Sequence, residues 1–330
     1  MKETQHWSEQ KEHASGYWVL KFSLILFRLF PVIILRLIAF PVGFFYFIFA
    51  KNVRAESKRF LGKVAGFAEN EKTAKKYRSF FGPLKHIVSF SLNLVDKWQG
   101  WGGKKACPIE YQDDDIDELV DDVENSRGIF LVTSHMGNME LLRGLASLNK
   151  TKASRKIPLL AIMDMDVNAH YSRMLKELNP QSVLDIVSAY SIGPHTAALL
   201  DEKLAEGGMI TITGDRTPPK LSASSSSKNF AIPFLGEEAP FPQGPFYLAA
   251  LLEAPAYFIF GLRQKDLSLK PKYNMHVHKY IPPQDIPPGK KGRLMASSAM
   301  AASFAALLER YCKEKPFQWY NFYNFWQSEE

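Results

Sequence analysis

The chain has 330 residues, of which 46% are hydrophobic, 13% aromatic and 23% charged, a composition that excludes a disordered chain. One large domain or two small ones fit this length. The only two cysteines, Cys107 and Cys312, lie far apart, which excludes a disulfide framework and a zinc knuckle and favours a reducing compartment. The net charge of +7 is N-terminal, since residues 1–80 carry 14 Lys and Arg against 6 Asp and Glu.

The first predicted element is an apolar segment over residues 17–50 that contains no acidic residue and three basic ones, Lys21, Arg28 and Arg36. Its longest uncharged stretch, residues 37–50, is shorter than the roughly 20 residues that a spanning helix needs. On a helix the three cations fall within about 80° of one another, and such a basic stripe is typical of an in-plane membrane anchor. A signal peptide and a buried core helix remain alternatives.

Basic and aromatic helices follow the anchor. Residues 51–78 hold nine basic residues against three acidic ones, which suits anionic headgroups or an acidic partner protein. Residues 77–101 predict an aromatic helix. The chain is therefore divided into a tail and membrane anchor over 1–50, a basic and aromatic helical region over 51–105, and an α/β domain over 106–330.

Strand and helix patterns alternate from residue 128 onward. Strands are predicted at 128–133, 157–163, 182–188, 209–213 and 255–262, and helices at 138–149, 167–178, 196–205 and 244–253. This alternation predicts a mainly parallel central sheet flanked by helices. Residues 273–280 alternate like an edge strand, residues 293–313 predict a helix, and the Ser-rich run 222–227 predicts a mobile loop.

The end of the first of these strands carries the candidate chemistry. His135 and Glu140 are five positions apart, a spacing that brings an imidazole and a carboxylate together only where a strand turns into a helix. A carboxylate on one ring nitrogen raises the basicity of the other, as a general base acting on a hydroxyl requires. The start of the helix also offers free amides for an oxyanion. A helix-capping His135 or a solvated Glu140 remains an alternative.

The block SHMGNMELLRG (residues 134–144) resembles the bacterial lipid A late acyltransferases, relatives of the glycerolipid acyltransferases, through its His-x-x-x-x-Glu motif. MITITGDRTPP (209–219) and the segment 233–261 resemble two further blocks of that family. The resemblance implies a glycerolipid acyltransferase-like fold, with His135 as the base and Glu140 as its orienting partner. It also implies that Asp215 and Arg216 organise the site or hold an anion of a substrate, although this neighbouring pair could equally be structural. Asn138 and Arg143 are further substrate-binding candidates because they lie close to His135 and Glu140 in the sequence.

The resemblance also implies an activity, the transfer of a fatty acyl group from acyl carrier protein or coenzyme A to a membrane lipid. The acceptor would be lipid A-like, a lysophospholipid or another acylated lipid, at the cytoplasmic face of a bacterial inner membrane. No metal, cofactor or nucleic acid is expected as a partner. A thioesterase or lipid hydrolase that uses the same site, with Ser134 as nucleophile, and a non-catalytic lipid-binding protein are the alternatives. The aromatic tail, residues 316–326, fits a core, an interfacial belt or a wall for the acceptor.

Overall fold

Strands and helices alternate along the part of the chain that the computed structural model describes, which is residues 25–27, 29–101, 107–112, 115–125, 127–139, 157–163, 184–189, 192–216 and 228–326. The helices are α1 (Val32–Phe49), α2 (Lys51–Val64), α3 (Glu71–Arg78), α4 (Phe81–Trp101), α5 (Ile116–Asn125), α6 (Pro194–Ala205), α7 (Gln243–Leu252) and α8 (Gly289–Glu314). The strands are β1 (Ile109–Gln112), β2 (Ile129–Thr133), β3 (Leu159–Met163), β4 (Leu184–Ser188), β5 (Met209–Thr213), β6 (Asn229–Phe234), β7 (Glu237–Pro242), β8 (Ala256–Arg263) and β9 (Tyr273–Lys279). Single 3₁₀ turns lie at Ala65–Phe67 and Pro316–Gln318.

Seven of these strands form one sheet in the order β1-β9-β8-β2-β5-β3-β4, while β6 and β7 make a separate antiparallel hairpin. Neighbouring strands of the large sheet are parallel except for β8 and β9. The structure thus confirms the predicted α/β class with a mainly parallel sheet. The strand predictions at 157–163, 182–188, 209–213 and 255–262 agree with β3, β4, β5 and β8 to within two residues.

The central strand β2 is buried over its whole length because helices cover both faces of the sheet. Phe130 and Val132 belong to a core that includes residues of α7 and α8. The alternate residues Ile129 and Leu131 belong to a second core with residues of α5. This burial on two faces explains why the strand is apolar at every position except its last, Thr133.

Two element predictions need correction. Strand β9 is not at an edge, because the short strand β1 pairs with it in parallel and covers its outer side. Sequence patterns missed β1 because four residues, IEYQ, contain no apolar run. The aromatic helix predicted from residue 77 is interrupted, since α3 ends at Arg78 and Ser79 is extended before α4 begins at Phe81. The segments 138–149, 167–178 and 222–227 lie outside the described residues, apart from positions 138 and 139.

Helix α1 is the one described helix that is long and apolar enough to cross a membrane, a test that a core helix or a signal sequence also passes. It continues through Pro41 for 18 residues. Its inner face packs on α4, and a Cβ at Gly43 would lie 2.9 Å from Ser91 Oγ and 3.0 Å from Val88 Cα. Gly43 therefore allows the two helices to approach closely.

Arg36, one of the three cations of the predicted basic stripe, does not lie on an exposed face of the helix. Arg36 is buried, with Nε 3.0 Å from Asp96 Oδ1 on α4 and Nη1 3.1 Å from the carbonyl oxygen of Leu269. A buried carboxylate stabilises a buried guanidinium, so this cation faces the protein. The other two cations of the stripe, Lys21 and Arg28, lie outside the described residues.

Candidate active site

The candidate site lies at the carboxyl edge of the sheet, where two neighbouring parallel strands end side by side. Strands β2 and β5 are paired in a register that sets Thr133 opposite Thr213. His135 and Asp215 each follow two residues later, so the register brings them together. Ligand and catalytic groups of parallel sheets collect at this edge.

His135 and Asp215 make a two-point contact. His135 Nδ1 is 2.8 Å from Asp215 Oδ1, and the backbone N–H of His135 donates to Asp215 Oδ2 over 2.8 Å. The Asp215 side chain is fully buried, whereas the His135 side chain remains 21% exposed. Within the described part of the chain nothing hydrogen-bonds to His135 Nε2.

The electrostatics of the pair favour a neutral imidazole beside an ionised carboxylate. Burial, helped by the Arg216 cation, lowers the pKa of His135 to about 4 against the opposing attraction of Asp215. Burial opposes ionisation of Asp215, but the interaction with His135 and the hydrogen bond from Trp319 outweigh it and lower the pKa of Asp215. Because a carboxylate only accepts, Nδ1 carries the ring proton and Nε2 carries the lone pair.

Trp319, in the aromatic tail, is the third member of this arrangement. Its indole Nε1–H donates to Asp215 Oδ2 over 3.0 Å, and its side chain is completely buried. The carboxylate therefore receives three hydrogen bonds, one of them from Trp319 and two from His135. These hydrogen bonds hold the carboxylate in position and favour its ionised form.

A second histidine, His86, contacts the backbone of Trp319. His86 Nε2 lies 2.9 Å from the carbonyl oxygen of Trp319, so Nε2 carries the proton, and Nδ1 accepts from the Ser57 hydroxyl at 2.9 Å. Burial lowers the pKa of His86 to about 4, which keeps this ring neutral. Hydrogen bonds thus run from α2 through α4 and the tail to His135.

The backbone beyond His135 is fixed by the tail and by β8. The carbonyl of His135 accepts from Tyr320 N–H at 3.0 Å, and Gly137 N–H donates to the carbonyl oxygen of Gln318 at 2.7 Å. Gly137 has φ +70°, and a Cβ there would lie 2.1 Å from the carbonyl oxygen of Gly261. Only glycine fits this close approach to β8.

The aromatic tail, residues 316–326, packs into the core, which is one of the three interpretations that its sequence allowed. Phe317, Trp319, Tyr320 and Phe325 are buried, and Trp319 packs against Phe325 with their centroids 5.1 Å apart. The tail also supplies hydrogen bonds to Asp215 and to the backbone of His135. These hydrogen bonds were not predicted from the sequence.

The other predicted site residues have different outcomes. The Arg216 guanidinium is half-buried near His135, and its Nη2 donates to the carbonyl oxygen of Tyr320 over 3.3 Å. Asn138 is buried, and its backbone N–H donates to the carbonyl oxygen of Gly261 over 2.8 Å. Glu140 and Arg143 lie outside the described residues, so the orienting role of Glu140 stays a prediction. In the described residues Asp215 performs that role.

Ser134, the nucleophile of the hydrolase alternative, is buried, and its hydroxyl accepts the Met136 N–H over 3.2 Å. The described residues contain no group of three His, Cys, Asp or Glu side chains arranged to hold a metal ion. The arrangement at His135 is that of a general base oriented by a carboxylate.

Asn93 is a further residue that the sequence did not single out. It lies on α4 and is buried, and its Nδ2 donates to the carbonyl oxygen of Gly137 over 3.2 Å. Its Oδ1 has no hydrogen-bond partner among the residues that the structure describes. No sequence pattern marks Asn93 or Trp319, because each lies at least 40 positions from His135 and acts through the tertiary fold.

Two comparisons with known proteins give no relative. A search against protein-family models finds no family that matches this chain, and a search of curated proteins finds no significant match. The geometry of His135, Asp215 and Trp319 is therefore the basis for assigning a function.

Proposed function

We propose that this protein is a membrane-associated acyltransferase that moves a fatty acyl group from a thioester to a hydroxyl or amine of a lipid acceptor. The observation that carries the proposal is the pair of a neutral His135 and a buried, ionised Asp215 at the end of two parallel strands. The resemblance of residues 134–144, 209–219 and 233–261 to lipid A late acyltransferases supports the same activity.

In the proposed mechanism, His135 Nε2 takes the proton of the acceptor O–H or N–H while that oxygen or nitrogen bonds to the thioester carbonyl carbon. The C–S bond then breaks, and the departing thiolate receives the proton from the imidazolium, which returns His135 to its neutral form. Asp215 keeps the proton on Nδ1 and stabilises the transient imidazolium. No covalent acyl-enzyme is required.

Arg216 is the proposed anion-binding residue of the site. Its guanidinium lies near His135, and its planar donors suit a phosphate or carboxylate group of the lipid acceptor. Asn138, Glu140 and Arg143 belong to the segment that follows His135 and are proposed to contribute to the same site.

The proposed location is the cytoplasmic face of a bacterial inner membrane. The apolar helix α1 and the exposed cations of α2 and α3, among them Lys58, Lys72 and Arg78, support a position against anionic lipid. The donor is acyl carrier protein or acyl-coenzyme A, and an acidic carrier protein also suits this basic surface.

The test uses the full-length protein purified in detergent and incubated with labelled acyl carrier protein or acyl-coenzyme A and a total bacterial lipid extract. Mass spectrometry identifies the lipid that gains the chain. We expect His135→Ala and Asp215→Asn to lower the transfer rate by about 10²–10⁴-fold, because each removes general-base catalysis. The matched control is His195→Ala, since His195 is an exposed histidine at the start of α6.

Three results would distinguish the alternatives. Rapid thioester turnover that is insensitive to added acceptor would assign a hydrolase. Absence of turnover with retained lipid binding would assign a lipid-binding protein, and full activity of His135→Ala would remove this residue from the mechanism. A Glu140→Gln variant in the same assay measures whether that carboxylate contributes beside Asp215.

A further inference from the structure

The outer surface of α1 is a large exposed apolar patch. One stripe of the helix, which includes Leu35, Ala39, Gly43 and Phe47, is buried. The exposed residues on its other sides are Ile33, Ile34, Leu37, Ile38, Val42, Phe44, Phe45, Tyr46, Ile48 and Phe49. Contiguous exposed apolar patches mark surfaces that bind a protein or a membrane.

Helix α1 is fixed along the protein over its length. The Arg36–Asp96 ion pair attaches its first half to α4, and near its end the Phe47 ring packs against Phe80, with centroids 5.0 Å apart. Helix α4 in turn carries the buried His86 that supports Trp319. Helix α4 therefore attaches α1 to the protein, with the apolar face of α1 at the surface, and also supports the candidate site.

A groove of about 290 Å³ opens between α1, α4, the β8–β9 loop and the start of the tail. Its walls are mainly apolar and include Phe40, Leu84, Val88, Leu267 and Phe317. None of the residues that contact His135 or Asp215 in the described site lines this groove. It is therefore separate from the candidate active site.

Two lysines and an exposed aromatic residue accompany these apolar walls. Lys76 and Lys85 line the groove, and Lys85 Nζ lies 2.7 Å from Asp266 Oδ2 and 4.1 Å from the Phe317 ring centroid. Phe81, also in the lining, is 71% exposed and so continues the apolar surface. Lys72 on α3 adds a further exposed cation.

We propose that this groove binds one acyl chain of an anionic phospholipid from the membrane on which α1 lies, with Lys76 facing the phosphate. An apolar groove with cations at its border matches a molecule that has a hydrocarbon tail and a negative head. A zwitterionic lipid offers the same tail without the net charge. The proposal rests on the proposed membrane location of α1 but not on the acyltransferase assignment, since the groove and the His135 site share no residue that either argument uses.

The experiment exposes the full-length protein to vesicles of phosphatidylcholine with phosphatidylglycerol, then counts retained lipids by native mass spectrometry. The groove-filling variant is Leu267→Trp, because Leu267 is half-buried in a loop between strands. A second filling variant, Leu84→Trp, fills the groove from α4, so an effect shared by both variants does not come from disruption of the loop at Leu267. The matched control is Leu251→Trp, at an exposed position of α7.

We expect the wild-type protein to retain one phosphatidylglycerol in preference to phosphatidylcholine. Both filling variants should lose that lipid by about tenfold or more, while Leu251→Trp keeps it and all proteins still bind vesicles through α1. Lys76→Gln should lower the preference for phosphatidylglycerol by about fivefold, the effect of one surface lysine. Retention of the lipid by the filling variants, retention of both lipids equally, or a groove occupied by a second copy of the chain would overturn the proposal.

Discussion

The proposed role of His135 as a base rests on one buried carboxylate, Asp215, which receives three hydrogen bonds. Burial and Arg216 keep the ring neutral, and Asp215 holds the Nδ1 proton. An ordinary histidine would be partly protonated at pH 6.5, whereas the pKa of His135 is lowered to about 4. The fraction of neutral base is then nearly constant from pH 6 to 8.

Trp319→Phe should change the pH dependence of catalysis while preserving the buried ring. Loss of the indole N–H leaves more negative charge on Asp215, which raises the pKa of His135. We expect the acid limb of kcat/KM, near pH 4 in the wild-type protein, to move upward, and kcat/KM to fall by about 10–100-fold, since a hydrogen bond to a charged group contributes about 1.5–3 kcal/mol. The measurement is a kcat/KM profile between pH 4 and 8 on the identified acceptor.

The matched control for this change is Trp326→Phe, in the same tail. Trp326 Nε1 donates to the carbonyl oxygen of Phe234 over 3.1 Å and does not contact Asp215. Its replacement should leave the acid limb in place. An equal shift in both variants would show that the tail acts only through general packing, and no shift in Trp319→Phe would remove Trp319 as a positioning residue.

The sequence predicts His135 as the base and Glu140, five residues later, as its partner, whereas the carboxylate that contacts His135 in the described residues is Asp215. The local spacing of His135 and Glu140 is visible in the sequence, whereas the pairing with Asp215 spans 80 positions. The strand pattern contains a hint of this second pairing. The strands that end in Thr133 and Thr213 are followed two residues later by His135 and Asp215, respectively. A single sequence does not show that these two strands are neighbours in the sheet. Their being neighbours is what brings His135 and Asp215 together.

At the scale of elements, α4 connects the apolar helix, the sheet and the tail. Its Asp96 side chain accepts from Arg36 on α1, from Arg263 on β8 over 2.9 Å, and from the Tyr273 hydroxyl on β9 over 2.6 Å. Both arginines are buried, so one carboxylate balances two cations. Each element would dock less specifically without it.

Asp96→Asn should therefore be strongly destabilising. The substitution leaves two buried guanidinium groups without an anion, and breaking a buried ion pair in this way costs about 3–5 kcal/mol. The free energy of unfolding, measured by urea titration in detergent, gives the effect. Asp201→Asn is the matched control because the Asp201–Arg127 pair is exposed and should contribute less than about 1 kcal/mol. Similar losses in the two variants would contradict the assignment of Asp96 as a buried centre.

Strands with apolar runs were predictable and short polar ones were not. The apolar pattern in β2 and β8 reports burial on both faces, which local sequence encodes. Strand β1 has no such pattern, and it forms because β9 offers it an open edge. The interior position of β9 therefore depended on a partner that the sequence did not reveal.

At the scale of the whole molecule, positive charge and exposed apolar surface occur in the same N-terminal part of the chain. The uneven charge was visible in the sequence, and so was the apolar character of residues 32–49. The inward direction of Arg36 was not, because it depends on Asp96, which lies 60 positions away. An apolar helix that is attached sideways to the protein exposes apolar side chains at the protein surface.

Membrane association should depend on that exposed face. The double variant Leu37→Glu with Phe45→Glu places two charges on side chains that are more than half exposed, so the fold should be retained while insertion into the lipid interface is opposed. We expect cosedimentation with phosphatidylglycerol-containing vesicles to fall by at least about tenfold, with an unchanged circular dichroism spectrum. The control, Ile281→Glu with Leu251→Glu, adds the same charge at exposed apolar positions outside α1 and should bind vesicles like the wild-type protein. Equal loss in both double variants would attribute the effect to net charge, and full binding by the α1 variant would mean that another surface of the protein meets the membrane.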